Sequence, residues 1–292
     1  MFPSRFEYFA PTSLQDAIQL LAQYPDEAKV LAGGQSLLSF LKLRFANPKY
    51  LVDLGRIGGL SYIREADSSP RSASGPAQIA IGALTRYVEV KESKLLREKC
   101  PILPQAASVV GDVQVRNRGT VGGGMAHADP AGDLSAAILA LEGDLKVVGT
   151  KGERWIRSED FFEGMYATAL APDEILTEIR VPVLDGQKSA YLKFARRPSD
   201  FAIVGIAVVL QVGPDQRCER IRIGVAGVSD RPYRAKQAEQ KLTGVRLDSK
   251  ALEEAAAVMT EDMEVIENIH ASQAFRTHLT GVYLARAIQA AS

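Results

Sequence analysis

The stretch Arg118-Gly-Thr-Val-Gly-Gly-Gly-Met-Ala-His-Ala-Asp-Pro-Ala-Gly-Asp133 gathers residue types that could do chemistry. It holds five glycines, one hydroxyl, one histidine and two carboxylates in sixteen positions. Glycines in a row let a backbone turn tightly and approach another group, with N–H groups exposed as donors. The natural partner for such donors is an anion, most often a phosphate. A second segment of this kind, Ala32-Gly33-Gly34-Gln35-Ser36, lies earlier, after a strand pattern and before a helix pattern. Two glycine turns facing one pyrophosphate would do together what a lone GGxS does weakly. Neither segment has the G-x-x-x-x-G-K-S/T of a P-loop. Neither supplies G-x-G-x-x-G with an acidic residue placed for a ribose.

The elements that must position these turns alternate at first. Phe6 to Phe9 reads as a short strand. Thr12 and Gln15 have capping-box spacing, and Leu14, Ala17, Ile18 and Leu21 make one apolar helical face. Lys29 to Leu31 is a strand leading into the first glycine turn. A helix then places Leu37, Leu38, Leu41 and Phe45 on one side, closed by Pro48. Tyr50 to Leu54 is another strand. Residues 65–78 form a small-polar loop, followed by the strand Ile79 to Ile81 and a helical stretch up to the second glycine region. Asp133 to Leu141 reads as a helix, and Leu145–Val148 with Arg154–Ile156 as a hairpin.

Composition shifts after about residue 177. Three strands are expected there: Ala190–Ala195, Ile203–Val212 and Arg220–Val228. The second is nearly all apolar, which predicts burial on both faces. Helices at about 233–242, 248–260 and 272–290 close the chain. Strands followed by helices indicate a separate α+β domain. The whole reads as α+β, divided as 1–57, 58–177 and 178–292.

The chain has 292 residues, 35 basic and 35 acidic, so its formal net charge is zero. That balance predicts no nucleic-acid or membrane surface and suits a protein that lives inside a complex. No apolar run reaches the roughly 18 residues of a membrane span, and no signal-peptide core opens the chain; the location expected is cytoplasmic. Two cysteines, Cys100 and Cys218, cannot supply the set an iron–sulfur cluster takes. Redox chemistry would need an organic cofactor.

Three ordered motifs carry a resemblance. Val30-Leu-Ala-Gly-Gly-Gln-Ser-Leu37, Gln114-Val-Arg-Asn-Arg-Gly-Thr-Val-Gly-Gly123 and Ala126-His-Ala-Asp-Pro-Ala-Gly-Asp133 resemble the FAD-binding medium subunit of molybdenum hydroxylases. That family includes xanthine dehydrogenase and aerobic carbon monoxide dehydrogenase. The resemblance also takes in Phe6 to Ala17 and Ala190 to Arg197. It implies a two-subdomain flavin-binding domain of the PCMH, vanillyl-alcohol-oxidase-like type. A C-terminal domain with a small antiparallel sheet and helices, like that of the CO dehydrogenase flavoprotein, would follow.

On the matching positions the family implies that Ala32, Gly33, Gly34, Gln35, Ser36 and Leu37 wrap the FAD pyrophosphate. Thr120, Gly123 and Gly124 would add a second set of contacts. Asp133 would hydrogen-bond the cofactor, Leu176 would make an apolar contact, and Lys193 would lie near the isoalloxazine ring, where a cation tunes the flavin's potential. His127 is either a cofactor contact or a satisfied loop histidine. Asp133 could equally cap the helix after it, and Lys193 could be a solvated strand charge. Arg196 and Arg197 read as a surface or subunit contact rather than a flavin contact, and Trp155 as core or interface packing.

Many relatives carry asparagine at the position of Gly124, so a contact there would be through backbone. Gln35 cannot form the covalent histidyl link of some flavin folds, so FAD would be noncovalent. No catalytic or metal-ligating residue is expected on this chain. The partners implied are a molybdopterin-binding large subunit and a small subunit with 2Fe-2S clusters, in a dimer of heterotrimers. Electrons would pass from those clusters to FAD and on to a terminal acceptor. The alternative is a free-standing flavin-dependent reductase or oxidase on the same fold. A further one is a scaffold without flavin.

Overall fold

Alternating strand and helix patterns at the start of the chain fold as a small parallel unit. A computed structural model describes residues 2–66 and 77–291. In it β1 (Glu7–Phe9), β2 (Ala28–Leu31) and β3 (Tyr50–Asp53) form a parallel sheet in the order β1-β3-β2. Helices α1 (Leu14–Gln23) and α2 (Leu37–Leu43) make the crossovers. The cap of α1 is Ser13, one residue later than the Thr12–Gln15 spacing predicts. Its hydroxyl accepts from the Asp16 N–H at 3.1 Å and donates to the Asp16 carboxylate at 2.6 Å. Helix α2 stops before Phe45 because Arg44 takes the left-handed conformation, φ 59°.

The second unit contains β4 (Ile63–Ala66), β5 (Gln78–Gly82), β6 (Asp144–Gly149), β7 (Gly152–Arg157), β8 (Phe162–Gly164), β9 (Ala167–Thr168) and β10 (Ile175–Pro182). Five of these form an antiparallel sheet, β4-β5-β10-β6-β7, while β8 and β9 pair as a ribbon. Of the loop expected over 65–78, residues 67–76 lie outside the described residues, while Glu65 and Ala66 pair with Ile79 and Gln78 in the β4–β5 ladder. Strand β10 continues through residues 177 and 178, with a bulge against β6 between Leu176 and Glu178.

Between β5 and β6 the chain is helical but interrupted. The single stretch read from sequence becomes α3 (Tyr87–Glu92), α4 (Lys94–Lys99), α5 (Ile102–Ser108) and α6 (Val113–Arg118). Ser93 caps α4, Pro101 opens α5, and Gly111 turns with φ 47°. Then come α7 (Val121–His127) and α8 (Asp133–Ala140). All eight residues of α8 are buried.

The C-terminal domain is an antiparallel sheet of β11 (Lys188–Phe194), β12 (Val204–Val212), β13 (Cys218–Ala226) and β14 (Tyr233–Arg234), in sequence order. Helices α9 (Lys236–Leu242), α10 (Ser249–Ala257) and α11 (Gln273–Ala291) complete it. The helix expected from 233 starts later because Tyr233 and Arg234 pair with Val225 and Gly224 as β14. Strand β12 is buried on both faces. Ile206, Val208 and Leu210 lie in the core beneath α11, whereas Ala207 and Val209 share a core with α8. A helix of the preceding domain thus covers one face of this sheet. Among the described residues no helix is long and apolar enough to cross a membrane.

Candidate functional site

The two glycine segments meet face to face at the seam between the first and second units. Gly33 rests on the backbone before α7: a Cβ built there would overlap the Arg118 carbonyl oxygen and stand 2.9 Å from the Gly119 α-carbon. A Cβ on Gly123 would lie 3.5 Å from the Ala32 methyl. Gly34 has φ 76°, a conformation that favours glycine, which lets the chain leave β2 and enter α2. These glycines bring backbone against backbone across the seam.

The expectation of exposed N–H donors divides unequally between the segments. In the second, Val121 donates to Thr85 O at 2.9 Å, Gly122 to Ala83 O at 2.8 Å and Gly124 to Thr120 O at 3.0 Å. Gly123 donates to the Thr120 hydroxyl at 3.2 Å, the N-cap of α7. Gly122 to Gly124 therefore form the first turn of a helix with their donors engaged. In the first segment none of the N–H groups of residues 32–37 donates to an acceptor among the described residues. Six consecutive donors without a protein acceptor, in a turn only partly buried, are left open to solvent or to a ligand.

Asp133 does not cap α8. Its carboxylate accepts from the Tyr191 hydroxyl at 2.5 Å and from Lys193 Nζ at 3.0 Å. The N-cap of α8 is Gly132, without a side-chain cap, and the local turn is made by Asp129, which accepts from the Ala131 N–H at 2.9 Å. Lys193 is not a solvated strand charge: its side chain and that of Asp133 are each 6% exposed. A second Lys193 donor reaches Val109 O at 3.0 Å, and an ammonium has three. Burial pushes the Asp133 carboxyl upward, opposed by the Lys193 charge and the Tyr191 hydrogen bond. Burial, then the Asp133 charge, pushes the Tyr191 hydroxyl far up, so it stays a donor.

His127, at the end of α7, sits in an aromatic cluster with its ring 5.0 Å from Phe40 of α2 and 5.0 Å from Tyr166. Burial lowers its pKa, with Asp129 opposing. Leu176 is buried on β10. Beside it Thr177 O accepts from the Ala83 N–H at 2.9 Å, and Ala83 packs under Gly122. Gln35, Arg196 and Arg197 are exposed, Trp155 stacks under the Arg180 guanidinium at 4.9 Å, and Cys100 and Cys218 are buried free thiols. The sequence reading missed Tyr87, whose hydroxyl fills the space above Gly124 where a Cβ would go. Only the missing side chain at Gly124 hinted at a substitute.

Comparison with known proteins is consistent along the whole chain. Residues 4–184 match the family described as FAD binding domain in molybdopterin dehydrogenase, and residues 189–291 match the CO dehydrogenase flavoprotein C-terminal domain. The chain is 37% identical over 292 residues to the carbon monoxide dehydrogenase medium chain of Hydrogenophaga pseudoflava, covering 100% of this chain and 98% of that one. It is 33% identical over 289 residues to the glyceraldehyde dehydrogenase medium chain of Sulfolobus acidocaldarius, covering 99% of each. A solved structure of carbon monoxide dehydrogenase from Hydrogenophaga pseudoflava, in a form lacking the Mo-pyranopterin moiety of its molybdenum cofactor, superposes with a TM-score of 0.94 at 38% identity, covering 100% of this chain and 98% of that one.

Proposed function

The chain belongs to the family of FAD-binding medium subunits of molybdenum hydroxylases, and from that premise we propose that it is the electron-transfer station of a three-subunit enzyme. It carries an FAD-binding domain and is an oxidoreductase subunit. In the proposed complex a molybdopterin-bearing large subunit oxidises the substrate, and a small subunit with 2Fe-2S clusters passes the electrons here. FAD, when bound, accepts them and delivers them to a terminal acceptor. The assembly is a cytoplasmic dimer of heterotrimers, and substrate choice belongs to the large subunit.

The observation that carries the reading is the cradle of residues 32–37, whose donors have no protein acceptor among the described residues. A pyrophosphate is an anion with enough oxygens to take several of them. Ala32 to Leu37 hold it, with Thr120, Gly123 and Gly124 forming the opposite wall by shape rather than by N–H donation. The buried Asp133–Lys193 pair would face the ring end, where the third Lys193 donor would serve the isoalloxazine. Leu176 and His127 supply apolar and aromatic surface beside it. Gln35 offers no atom for a covalent flavin bond, so FAD is held noncovalently.

Ser36→Asp tests this. A carboxylate there would compete for the cradle's own donors and repel phosphate. The expected result is flavin affinity lowered about 100-fold or more, as for loss of two charge-assisted hydrogen bonds, with unchanged circular dichroism. Full retention of FAD by a folded Ser36→Asp protein would refute the cradle.

A further inference from the structure

Tyr87 opens α3, and its main chain is tied to the seam: its N–H donates to Gly119 O at 3.0 Å. Its ring passes Gly119 so closely that a Cβ there would lie 2.8 Å from Cε2. The hydroxyl then occupies the space that a side chain at Gly124 would need. Ring and backbone are fixed, yet among the described residues the hydroxyl has no hydrogen-bond partner. Tyr87 is only partly buried, so this donor stays open to a group that arrives from outside the fold. Burial, with the Asp133 and Asp129 charges, pushes its ionisation upward, so it remains a donor.

Position identifies the acceptor. Gly123 touches Ala32 of the cradle, so the hydroxyl over Gly124 lies one residue along α7 from the proposed phosphate site. It also lies within reach of the charges of Asp129 and of Asp133, the partner of Lys193 at the proposed ring end. A flavin dinucleotide reaching from one place to the other would have to pass this hydroxyl. We propose that Tyr87 is a positioning residue for FAD, its hydroxyl donating to an oxygen of that dinucleotide and standing in for the side chain that Gly124 lacks. The inference rests on the reading that FAD occupies this seam.

The test uses the full chain freed of flavin and titrated with FAD, comparing wild type, Tyr87→Phe, Gly124→Asn and the double variant. Tyr87→Phe should weaken FAD binding about tenfold, the loss of one hydrogen bond, and leave the Tm of the apoprotein unchanged, because the hydroxyl holds nothing in the protein. Gly124→Asn should also weaken binding, since its Cβ meets the Tyr87 hydroxyl. Combining the two should recover affinity, the amide entering the space that phenylalanine opens. Wild-type affinity in Tyr87→Phe would overturn the inference alone, as would a double variant no tighter than Gly124→Asn. A lowered apoprotein Tm with unchanged affinity would assign the hydroxyl to the fold instead. Wild-type chain that takes up no FAD would bring down the seam and Tyr87 together.

Discussion

Lys193 reaches the site already neutralised. A lone cation beside a flavin ring would act on it as a point charge; a cation 3.0 Å from a carboxylate acts as a much shorter-ranged dipole. Any tuning of the ring therefore depends on Asp133 as much as on Lys193. Replacing Asp133 with alanine leaves the ammonium buried with Val109 O, and leaves the Tyr191 hydroxyl without an acceptor. That variant should lose about 3 kcal/mol of stability in urea unfolding, the usual consequence of orphaning a buried charge. Both residues could be picked out of the sequence by resemblance, but not their pairing. They are 60 positions apart, and only the docking of β11 against the start of α8 brings them together. Helix capping was the simpler reading of Asp133 because it needs no tertiary contact. The structure gives the turn to Asp129 instead.

Elements were legible where hydrophobic pattern alone determines them. The long apolar run of β12 needed no tertiary information, and that strand and helix α11 are both found where expected. The short helices α3 to α6 were not legible as separate units, since helices of six or seven residues have too little intrinsic stability to leave a strong local signal. Helix α7 is the sharpest instance. Each glycine in a helix costs about 1 kcal/mol relative to alanine, so Gly122 to Gly124 argue for a turn. The fold makes them helical because Ala83 and Tyr87 stand where side chains would be. Helix α8 is held the same way: a Cβ on Gly224 of β13 would overlap the Ala136 carbonyl oxygen. Gly224→Ala should force α8 off the sheet at a cost of about 2–3 kcal/mol, read as a lower Tm. Because α8 carries Asp133, FAD affinity should fall in the same variant.

At the level of the molecule, the flavin-binding and C-terminal domains are joined by charge as well as by α8. Glu142, just after that helix, binds Arg220 at 2.7 Å, Arg222 at 3.0 Å and Arg234 at 3.3 Å, all from the C-terminal sheet. Burial would raise its carboxyl, but Arg222, Arg234 and Arg220 outweigh it and hold the group below its ordinary range. A carboxyl depressed in the folded state contributes stability that is complete above its unfolded pKa of about 4.3 and is lost as pH falls through the folded value. Glu142→Gln should lower stability near neutrality by about 3 kcal/mol and flatten the acid limb of the Tm–pH curve below about pH 4.3; calorimetry across pH measures both. The change of composition near residue 177 falls inside β10, and the clasp itself was not visible, since its arginines look like ordinary strand charges in the sequence. The contact of Gly33 with the Arg118 carbonyl has a different kind of consequence. Those glycines join two pieces of the chain whether or not anything is bound between them. A descendant that abandoned its flavin would still have to keep Gly33, Gly119 and Gly122 merely to close up, while Ser36 and Tyr87 would be free to drift. Among distant kin, persistence of the glycines would then record inherited architecture, and the loss of a hydroxyl would be the first trace of a changed trade.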